Sequence, residues 1–418
     1  MRKITLIAMI LVGMLSPVMA QVKDLQFWRP NDQRGVNVFE STKQDTVAYE
    51  GLVVRVGGAN TLQFQAIEAS NSGDVEIFDI GPNFNLATSN LDLDVQLYPG
   101  LRMHLRTYLS SRHHAQPYVK GGYMQVDRLD FIQPGFMSSL MDYVTIKVGH
   151  MQINYGDNHF RRTDNGMALF NPFVGNYILD AFTTEVGAEV YYKRNGFLGM
   201  LGMTNGKLNQ SVVKPAEDAP KTKPSLVAKL GFDDQINPDL RFRITGSLYH
   251  TPESARTFLY GGDRAGARYY NVLTSNAAEF RIPRYDPGFI NELTAIMINT
   301  FVKFQGVEFY GVYENVSGKA AAETDRRSFN QIGTELLYRF GAQEKFYLGT
   351  RYNMVSGKIQ SGDEVDISRL NFGGGWFLTR NVMAKAEYVT QSYSGFPQAS
   401  VFDQGKFNGI VLEAIISF

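Results

Sequence analysis

One connection in this chain carries charged side chains close enough together to act on a passing ion. It runs from Gln152 to Thr183 with the sequence QINYGDNHFRRTDNGMALFNPFVGNYILDAFT. Paired guanidinium groups attract anions and replace part of their hydration shell with hydrogen bonds. The candidate residues for such a cluster are Asp157, His159, Arg161, Arg162 and Asp164. The alternative is that these side chains are solvated loop charges.

A second set of charges recurs at every second position of apolar segments. In LDLDVQLY (91–98), Asp92 and Asp94 alternate with aliphatic residues, and LRMHLRTYL (101–109) continues the pattern after a Pro-Gly turn. Alternate side chains of a β-strand point to opposite faces, so each segment has one charged and one aliphatic face. We expect the charged faces to line a lumen, with the cations Arg102, Arg106, Lys147, Arg241, Arg243 and Arg369. Acids at equivalent positions are almost as numerous, so the charges either pair across the wall or form a ladder for anions.

The C-terminal segment Lys406 to Phe418, KFNGIVLEAIISF, has the same two faces. Its even-numbered positions from Ile410 onward are all apolar, whereas the odd-numbered face accommodates Glu413. A strand of this kind suits a wall that separates lipid from a polar lumen. A final strand of a soluble sheet is the alternative for this segment taken alone. The rest of the chain decides between the two.

The alternating pattern repeats along the chain from residue 50. A charged row opposite an aliphatic row does not fit a dry sandwich core, and a one-sided soluble sheet would not repeat it throughout the chain. We count sixteen such segments, an even number as in bacterial barrels. The predicted strands are 50–67, 91–98, 101–109, 118–127, 143–151, 184–193, 197–205, 224–233, 239–250, 293–304, 306–316, 328–340, 345–356, 367–379, 382–392 and 406–418.

The lengths of the connections follow their position in the series. Connections after even-numbered strands are mostly tight turns such as Pro99-Gly100, whereas connections after odd-numbered strands are mostly long, such as 152–183 and 251–292. The segment 128–142 is the exception on the short side. The sequence therefore predicts an all-β fold, a transmembrane antiparallel β-barrel with short periplasmic turns and long extracellular loops over residues 50–418.

Aromatic residues near the predicted strand ends fit the girdles that such barrels place at the two membrane interfaces. The chain has 29 Phe and 22 Tyr, so strand preference alone is the alternative explanation for any one ring. The residues that we assign to the girdles are Tyr98, Tyr192, Phe340, Phe377, Tyr388 and Phe418.

The N-terminal residues indicate export. Residues 1–20, MRKITLIAMILVGMLSPVMA, have the basic start, short apolar core and small-residue cleavage site of a signal peptide. Residues 21–49 lack alternation, and we interpret them as an arm or a plug at the barrel entrance. The chain has 41 basic and 41 acidic residues, which gives no case for binding nucleic acid.

Enzymatic and metal chemistry find little support in the sequence. There are no cysteines, and the six histidines lack the spacing of an HExxH zinc motif. No GxSxG nucleophile motif is present. We therefore predict no catalytic residues, no metal site and no cofactor.

Three segments carry a resemblance to a known family. VRVGGANTLQFQ (54–65), FNLATSNLDLDVQLYPGLRMHLRTYLSSRHH (84–114) and YVKGGYMQVDRL (118–129) resemble the first third of bacterial phosphate-selective porins of the O/P family. The resemblance implies that the connection 152–183 folds into the barrel as a constriction. The terminal Phe418 likewise resembles the C-terminal signature of bacterial outer-membrane proteins, which implies recognition by the barrel-assembly machinery.

The function expected from these observations is passive diffusion of small hydrophilic solutes, including anions such as phosphate, across the bacterial outer membrane. A sixteen-strand barrel is wide enough to hold a water-filled channel. Expected partners are outer-membrane lipid, the assembly machinery, the solutes, and two further copies of the chain if it forms a homotrimer. One alternative is a plugged, non-conducting barrel with a structural or adhesive surface role. Another is a transporter of apolar substrates, although long-chain fatty-acid transporters resemble fourteen-strand barrels with larger plugs.

Overall fold

The computed structural model describes residues 23–45, 47–110, 116–163, 165–205, 220–261, 268–275 and 281–418. Within these ranges, the side chains of residues 86, 87, 165 and 166 are left out of the description. The predicted signal peptide, residues 1–20, and the predicted constriction residue Asp164 lie outside the described residues.

Sixteen antiparallel strands form one closed barrel in which each strand pairs with its neighbours in sequence and β1 pairs with β16. This confirms the predicted fold class and strand number. The strands are β1 Val53–Ser70, β2 Asn83–Tyr98, β3 Leu101–Ser110, β4 Tyr118–Val126, β5 Val144–Gln152, β6 Thr184–Arg194, β7 Phe197–Thr204, β8 Ser225–Asn237, β9 Leu240–Thr251, β10 Glu292–Phe304, β11 Val307–Lys319, β12 Arg327–Phe340, β13 Phe346–Lys358, β14 Glu364–Thr379, β15 Val382–Ser394 and β16 Lys406–Ser417.

Helical structure is limited to short turns. The α-helix α1, Ser138–Met141, lies in the long connection between β4 and β5, and 3-10 helices occur at Gln33–Gly35, Asn158–Phe160, Asn165–Phe170 and Ala342–Glu344. No helix in the described ranges has the length and hydropathy needed to span a membrane.

The tight turns after even-numbered strands have the chemistry of β-hairpins. Asn195-Gly196 and Gln305-Gly306 each place two consecutive residues at positive φ, at 51° and 80° and at 47° and 91°. Such turns match the twist of the flanking strands, and glycine adopts this conformation without steric cost. The short connections therefore collect at one end of the barrel, which we call the short-turn end.

β2 is longer than the alternation predicts, since it begins at Asn83 rather than at residue 91. Residues 83–90 are mostly polar and lack a clear apolar face. They nevertheless pair with β1, from Asn83 opposite Gln65 to Asn90 opposite Ala59, with one register shift. Backbone pairing with a long neighbouring strand thus extends β2 where the side-chain pattern does not indicate a strand.

The barrel closes where the two ends of the series meet. β16 pairs with β1 from Ser417 opposite Ala59 to Lys406 opposite Ser70. At the end of this ladder, the Phe418 N–H donates to the Gly58 carbonyl (3.0 Å), and the Gly58 N–H donates to the Phe418 carbonyl (3.1 Å). A Cβ at Gly58 would lie 2.9 Å from the Asn90 carbonyl oxygen, so glycine permits this close approach.

The outer surface is apolar and carries rings near the short-turn end. Tyr338, Phe340, Phe346 and Trp376 stack in series, with centroids 5.7 to 5.9 Å apart. Phe377, which we assigned to the same girdle, instead faces inward and is only 1% exposed. Its neighbours in β14 face outward, so strand alternation places Phe377 on the inner face.

The main apolar core lies inside the barrel rather than between layers. It combines inward-facing strand residues with side chains from the N-terminal segment and from two long connections that enter the lumen. Members of this core from the entering segments include Phe39, Val174, Tyr177, Leu259 and Tyr269. The lumen is therefore partly filled by the entering segments. These segments and the inner faces of the strands form the candidate site.

Candidate functional site

The connection between β5 and β6, residues 153–183, lies inside the barrel; we call it the inner loop. Its backbone N–H groups at Val174, Ile178 and Leu179 donate to side-chain oxygens of the wall residues Glu387 (2.7 Å), Asn353 (2.7 Å) and Gln331 (2.9 Å). Buried backbone donors need such partners. Polar wall residues thus hold the inner loop against β12, β13 and β15.

Asp157 anchors the start of the inner loop to the opposite part of the wall. Its carboxylate accepts hydrogen bonds from Arg243 on β9 (2.8 Å) and Lys229 on β8 (2.9 Å). Burial alone would raise the pKa of Asp157, but these two cations outweigh burial and hold the pKa below its usual range. Asp157 is therefore an ionised anchor rather than a group that faces open water.

The other predicted constriction residues point in different directions. Arg161 pairs with Glu335 on β12 (3.0 Å) and donates to Asn37, whereas Arg162 forms a two-point pair with Asp180 of the same loop (2.6 and 2.7 Å). His159 borders the cavity that is described below. Burial, followed by the nearby charge of Lys229, lowers the pKa of His159 to about 3, so this ring is neutral at pH 7.

Residues 23–45 and 47–50 also enter the barrel and cross its short-turn end; we call them the N-terminal arm. Lys43 donates to the Val144 carbonyl (2.8 Å) and pairs with Asp127 (3.2 Å), while the Gln33 N–H donates to the Arg380 carbonyl (2.8 Å). Further inside, Glu40 pairs with Arg243 (2.9 Å). The arm is therefore bound to several separate points around the barrel mouth.

The connection between β9 and β10 fills a third part of the lumen. Arg268 of this connection pairs with Glu413 of β16 (2.8 Å), and its carbonyl accepts from Gln63 of β1 (2.6 Å). Tyr260 and Tyr269 donate to Glu314 and Glu387. Several acids that the sequence places on the lumen face thus hold entering segments in addition to pairing across the wall.

A cavity remains between the N-terminal arm, the inner loop and the inner faces of β1 to β6. Its volume is ≈ 180 Å³. On β6 its lining extends from Thr184 to Tyr191, which corresponds to roughly 23 Å along a strand. The cavity is therefore elongated along the wall from the long-loop side toward the short-turn side, and we call it the wall cavity.

Basic residues outnumber acids in the lining of the wall cavity. All three acids are already paired, since Asp92 binds Arg106 (2.6 and 2.7 Å), Asp94 binds His104 (2.8 Å) and Glu40 binds Arg243 (2.9 Å). The charged lining consists of Arg29, Arg55, Arg102, Arg106, Lys120 and Lys147 on the basic side and Glu40, Asp92 and Asp94 on the acidic side. Such a surface attracts anions more than cations.

A second, open space lies at the short-turn end on the other side of the arm. Its volume is ≈ 730 Å³, and cations also outnumber acids among its charged lining residues. The charged residues that border it are Arg34, Arg241, Lys303, Arg339 and Arg380 with Asp239 and Glu344. The entrance at this end therefore has the same sign of charge as the wall cavity.

The six cations that we predicted to line the lumen all lie on inner faces, but only three border the wall cavity, namely Arg102, Arg106 and Lys147. The other three hold entering segments. Arg241 donates to the Asn37 carbonyl (2.8 Å), Arg243 binds Asp157, and Arg369 donates to the Asn176 carbonyl (2.5 Å).

Three basic residues of the wall cavity were missing from our sequence-based assignment. Arg55 alternates with Val54 and Val56 in β1, so its inward position could have been predicted from the pattern. Lys120 lies in the weakly alternating β4, and Arg29 lies in the arm, where no periodicity indicates a direction. In the described ranges, no group of three or more His, Cys, Asp or Glu residues is arranged to hold a metal ion.

No family model matches this chain, and no curated protein matches its sequence. Solved structures do match. The outer-membrane protein OmpT of Vibrio cholerae, in its trimer form, is 12% identical with a TM-score of 0.55, and the match covers 88% of this chain and 100% of that chain. An anion-selective porin from Comamonas acidovorans is 10% identical with a TM-score of 0.54 and coverages of 88% and 100%.

The outer-membrane channel DcaP of Acinetobacter baumannii is 12% identical with a TM-score of 0.53, and covers 89% of this chain and 99% of that chain. At such low identity, these likenesses show a shared fold. The fold is the closed β-barrel of bacterial outer-membrane proteins.

Proposed function

We propose that this protein is an outer-membrane porin, a narrow diffusion channel for small hydrophilic solutes that favours anions. The wall cavity is the observation that carries this proposal. It follows the inner faces of β1 to β6 with an excess of cationic side chains, and a second space bordered by cations lies at the short-turn end. A low-dielectric wall with one sign of charge concentrates ions of the opposite sign.

The outer surface supports a membrane location. Leu201 and Leu230 lie in the middle of β7 and β8 and are 71% and 72% exposed, and comparable apolar side chains surround the barrel. A soluble protein rarely exposes so large a continuous apolar surface. Export through a cleaved signal peptide at residues 1–20 remains part of the proposal.

Selectivity among anions is a finer proposal. The resemblance of residues 54–65, 84–114 and 118–129 to phosphate-selective porins stays a prediction, and one structural neighbour is named an anion-selective porin. The cations of the wall cavity support a preference for anions in general. A phosphate ion would interact with the charged side chains of the wall cavity but not with its apolar side chains.

The assembly state is a further proposal. The outer face over β1 and β13 to β16 has an apolar groove of ≈ 1380 Å³, whose floor includes Gly349, Gly374, Ala386 and Ala414. Small residues allow close packing of a neighbouring wall, which supports a homotrimer. The mass of the detergent-solubilised protein, measured by light scattering, tests this. Recognition of the strand ending at Phe418 by the barrel-assembly machinery is proposed from the sequence signature alone.

Single-channel recording in a planar bilayer tests the porin function. We expect stable ohmic steps, and under a salt gradient a reversal potential of the sign that anion preference requires. A reversal potential of the opposite sign would contradict the charge assignment of the wall cavity.

A plugged barrel that conducts no solutes is the second candidate. One observation favours it, because the arm and two long connections are held inside the lumen by buried ion pairs. Repeated insertion into the bilayer without conductance would support this candidate and overturn the porin. The protein would then have a structural or adhesive role at the cell surface.

A further inference from the structure

In the described ranges, five buried guanidinium or amide donors on residues that border the wall cavity have no hydrogen-bond partner. They are Arg29 Nη1, Asn31 Nδ2, Arg55 Nε, Arg102 Nε and Gln152 Nε2. Arg55 and Arg102 are only 7% and 5% exposed. An unpaired buried donor destabilises a protein, and more so when it carries charge. The presence of five such donors around one cavity therefore indicates a missing acceptor.

The missing acceptor should carry negative charge. Arg29 donates to the carbonyls of Gly35 and Phe160, and Arg55 lies over the Trp28 ring at 4.1 Å, but neither forms an ion pair with a carboxylate in the described ranges. Buried charges in proteins are normally paired. An oxyanion in the wall cavity would pair both guanidinium groups.

The remaining lining of the wall cavity includes an apolar part beside polar side chains. This apolar part comes mainly from the inner loop and the arm, and includes Trp28, Phe39, Met151, Phe160, Met167, Phe170 and Phe182. The cavity, at ≈ 180 Å³, is smaller than sites for drug-sized ligands, which span roughly 300–1,000 Å³. The ligand should therefore be small and should have an apolar body beside its charged head.

We infer that the wall cavity is a binding site for a small organic carboxylate, completed by the N-terminal arm. The carboxylate takes the unpaired donors of Arg29, Asn31, Arg55 and Arg102, and the apolar body lies against the inner loop. The inference deepens the proposed channel by naming the solute class for which the path has a resting site. The arm is then part of the site rather than only a plug, because it supplies Arg29 and Asn31.

Trp28 borders the site, and the only other tryptophan of the chain, Trp376, lies on the outer surface. The W376F protein in detergent therefore reports on the site through Trp28 emission. We expect a saturable change with cyclohexanecarboxylate, binding of inorganic phosphate at least about tenfold weaker, and no saturable change with uncharged cyclohexylmethanol. If phosphate binds as tightly as cyclohexanecarboxylate, the site is one for simple anions and the inference of an organic carboxylate is wrong. If neither ligand gives a saturable response, the site itself is overturned.

Substitutions test the donors directly. Arg55→Gln and Arg102→Gln, each in the W376F background, should raise the dissociation constant of cyclohexanecarboxylate by about tenfold or more, because each removes a charged hydrogen bond. Arg55→Lys, which keeps the charge, should retain part of the affinity even if Arg55→Gln folds poorly. Arg128→Gln is the control, since Arg128 is exposed and pairs with Asp130 outside the cavity.

Unchanged affinity in Arg55→Gln and Arg102→Gln would overturn the inference. The binding measurement needs no conductance, so its outcome is separable from that of the porin. Conductance without saturable binding would contradict only the inferred binding site. Saturable binding without conductance would contradict only the proposed channel.

Discussion

At the scale of single residues, buried ion pairs decide where the entering segments lie. Asp157 of the inner loop and Glu40 of the arm share Arg243 and Lys229, so one cluster joins both segments to β8 and β9. Removing one member of a buried cluster leaves the remaining charges without compensation.

Asp157→Asn should therefore destabilise the fold strongly. We expect a loss of about 3–5 kcal/mol in the free energy of unfolding, measured by guanidinium titration in detergent. Asp130→Asn, which removes the partly exposed partner of the exposed Arg128, should cost at most about 1 kcal/mol. Equal effects of the two substitutions would contradict the anchoring role of Asp157.

His159 should make stability depend on pH. Its pKa is about 3 in the folded protein, against an ordinary value of 6.5, so between these values the unfolded chain binds the additional proton. The stability that His159 contributes is complete above pH 6.5 and declines as the pH falls toward 3. The difference in unfolding midpoint between the wild type and His159→Gln should therefore change between pH 8 and pH 4. A difference that is the same at both pH values would contradict the buried, neutral ring.

At the scale of elements, the strands could be predicted, whereas the contacts that hold the entering segments in the lumen could not. Strand positions follow from side-chain alternation, because lipid and lumen impose opposite polarity on the two faces of each strand. Asp157 and Arg243 are far apart in the chain, so no local sequence pattern predicts that they pair. The position of Arg29 could not be predicted, because the arm has no periodicity. The inward direction of Arg55 could have been predicted, because Arg55 alternates with Val54 and Val56.

The arm should limit the current through the barrel. Removal of residues 23–45 opens the short-turn end, and we expect conductance per step to rise about twofold or more, since a wider water-filled path carries more ions. Planar-bilayer recording measures this. Lys23→Gln, which breaks only the exposed pair with Glu50, should leave conductance unchanged. Unchanged conductance after the deletion would mean that the arm does not obstruct the path.

At the scale of the whole molecule, the exposed apolar surface should make stability depend on lipid. Leu230 lies at the middle of β8 and is 72% exposed, whereas Leu52 precedes β1 and is 65% exposed. Leu230→Arg should cost about 2–4 kcal/mol in vesicles, because it places a charge at the bilayer midplane. Leu52→Arg, outside the strands, should cost at most about 1 kcal/mol. Unfolding titrations in lipid vesicles measure both, and similar costs would argue against a membrane around β8.

The pairing of β1 with β16 has a consequence for the order in which the molecule is made. The hydrogen bonds between Gly58 and Phe418 join the first strand of the wall to the sixteenth, so the seam can form only after the fourteen strands between them are present. The arm precedes β1 in the chain, yet it lies enclosed. Contacts between such distant parts of a chain form slowly. The growing sheet must therefore curl around the arm and the inner loop, and closure of the seam is the event that traps them inside.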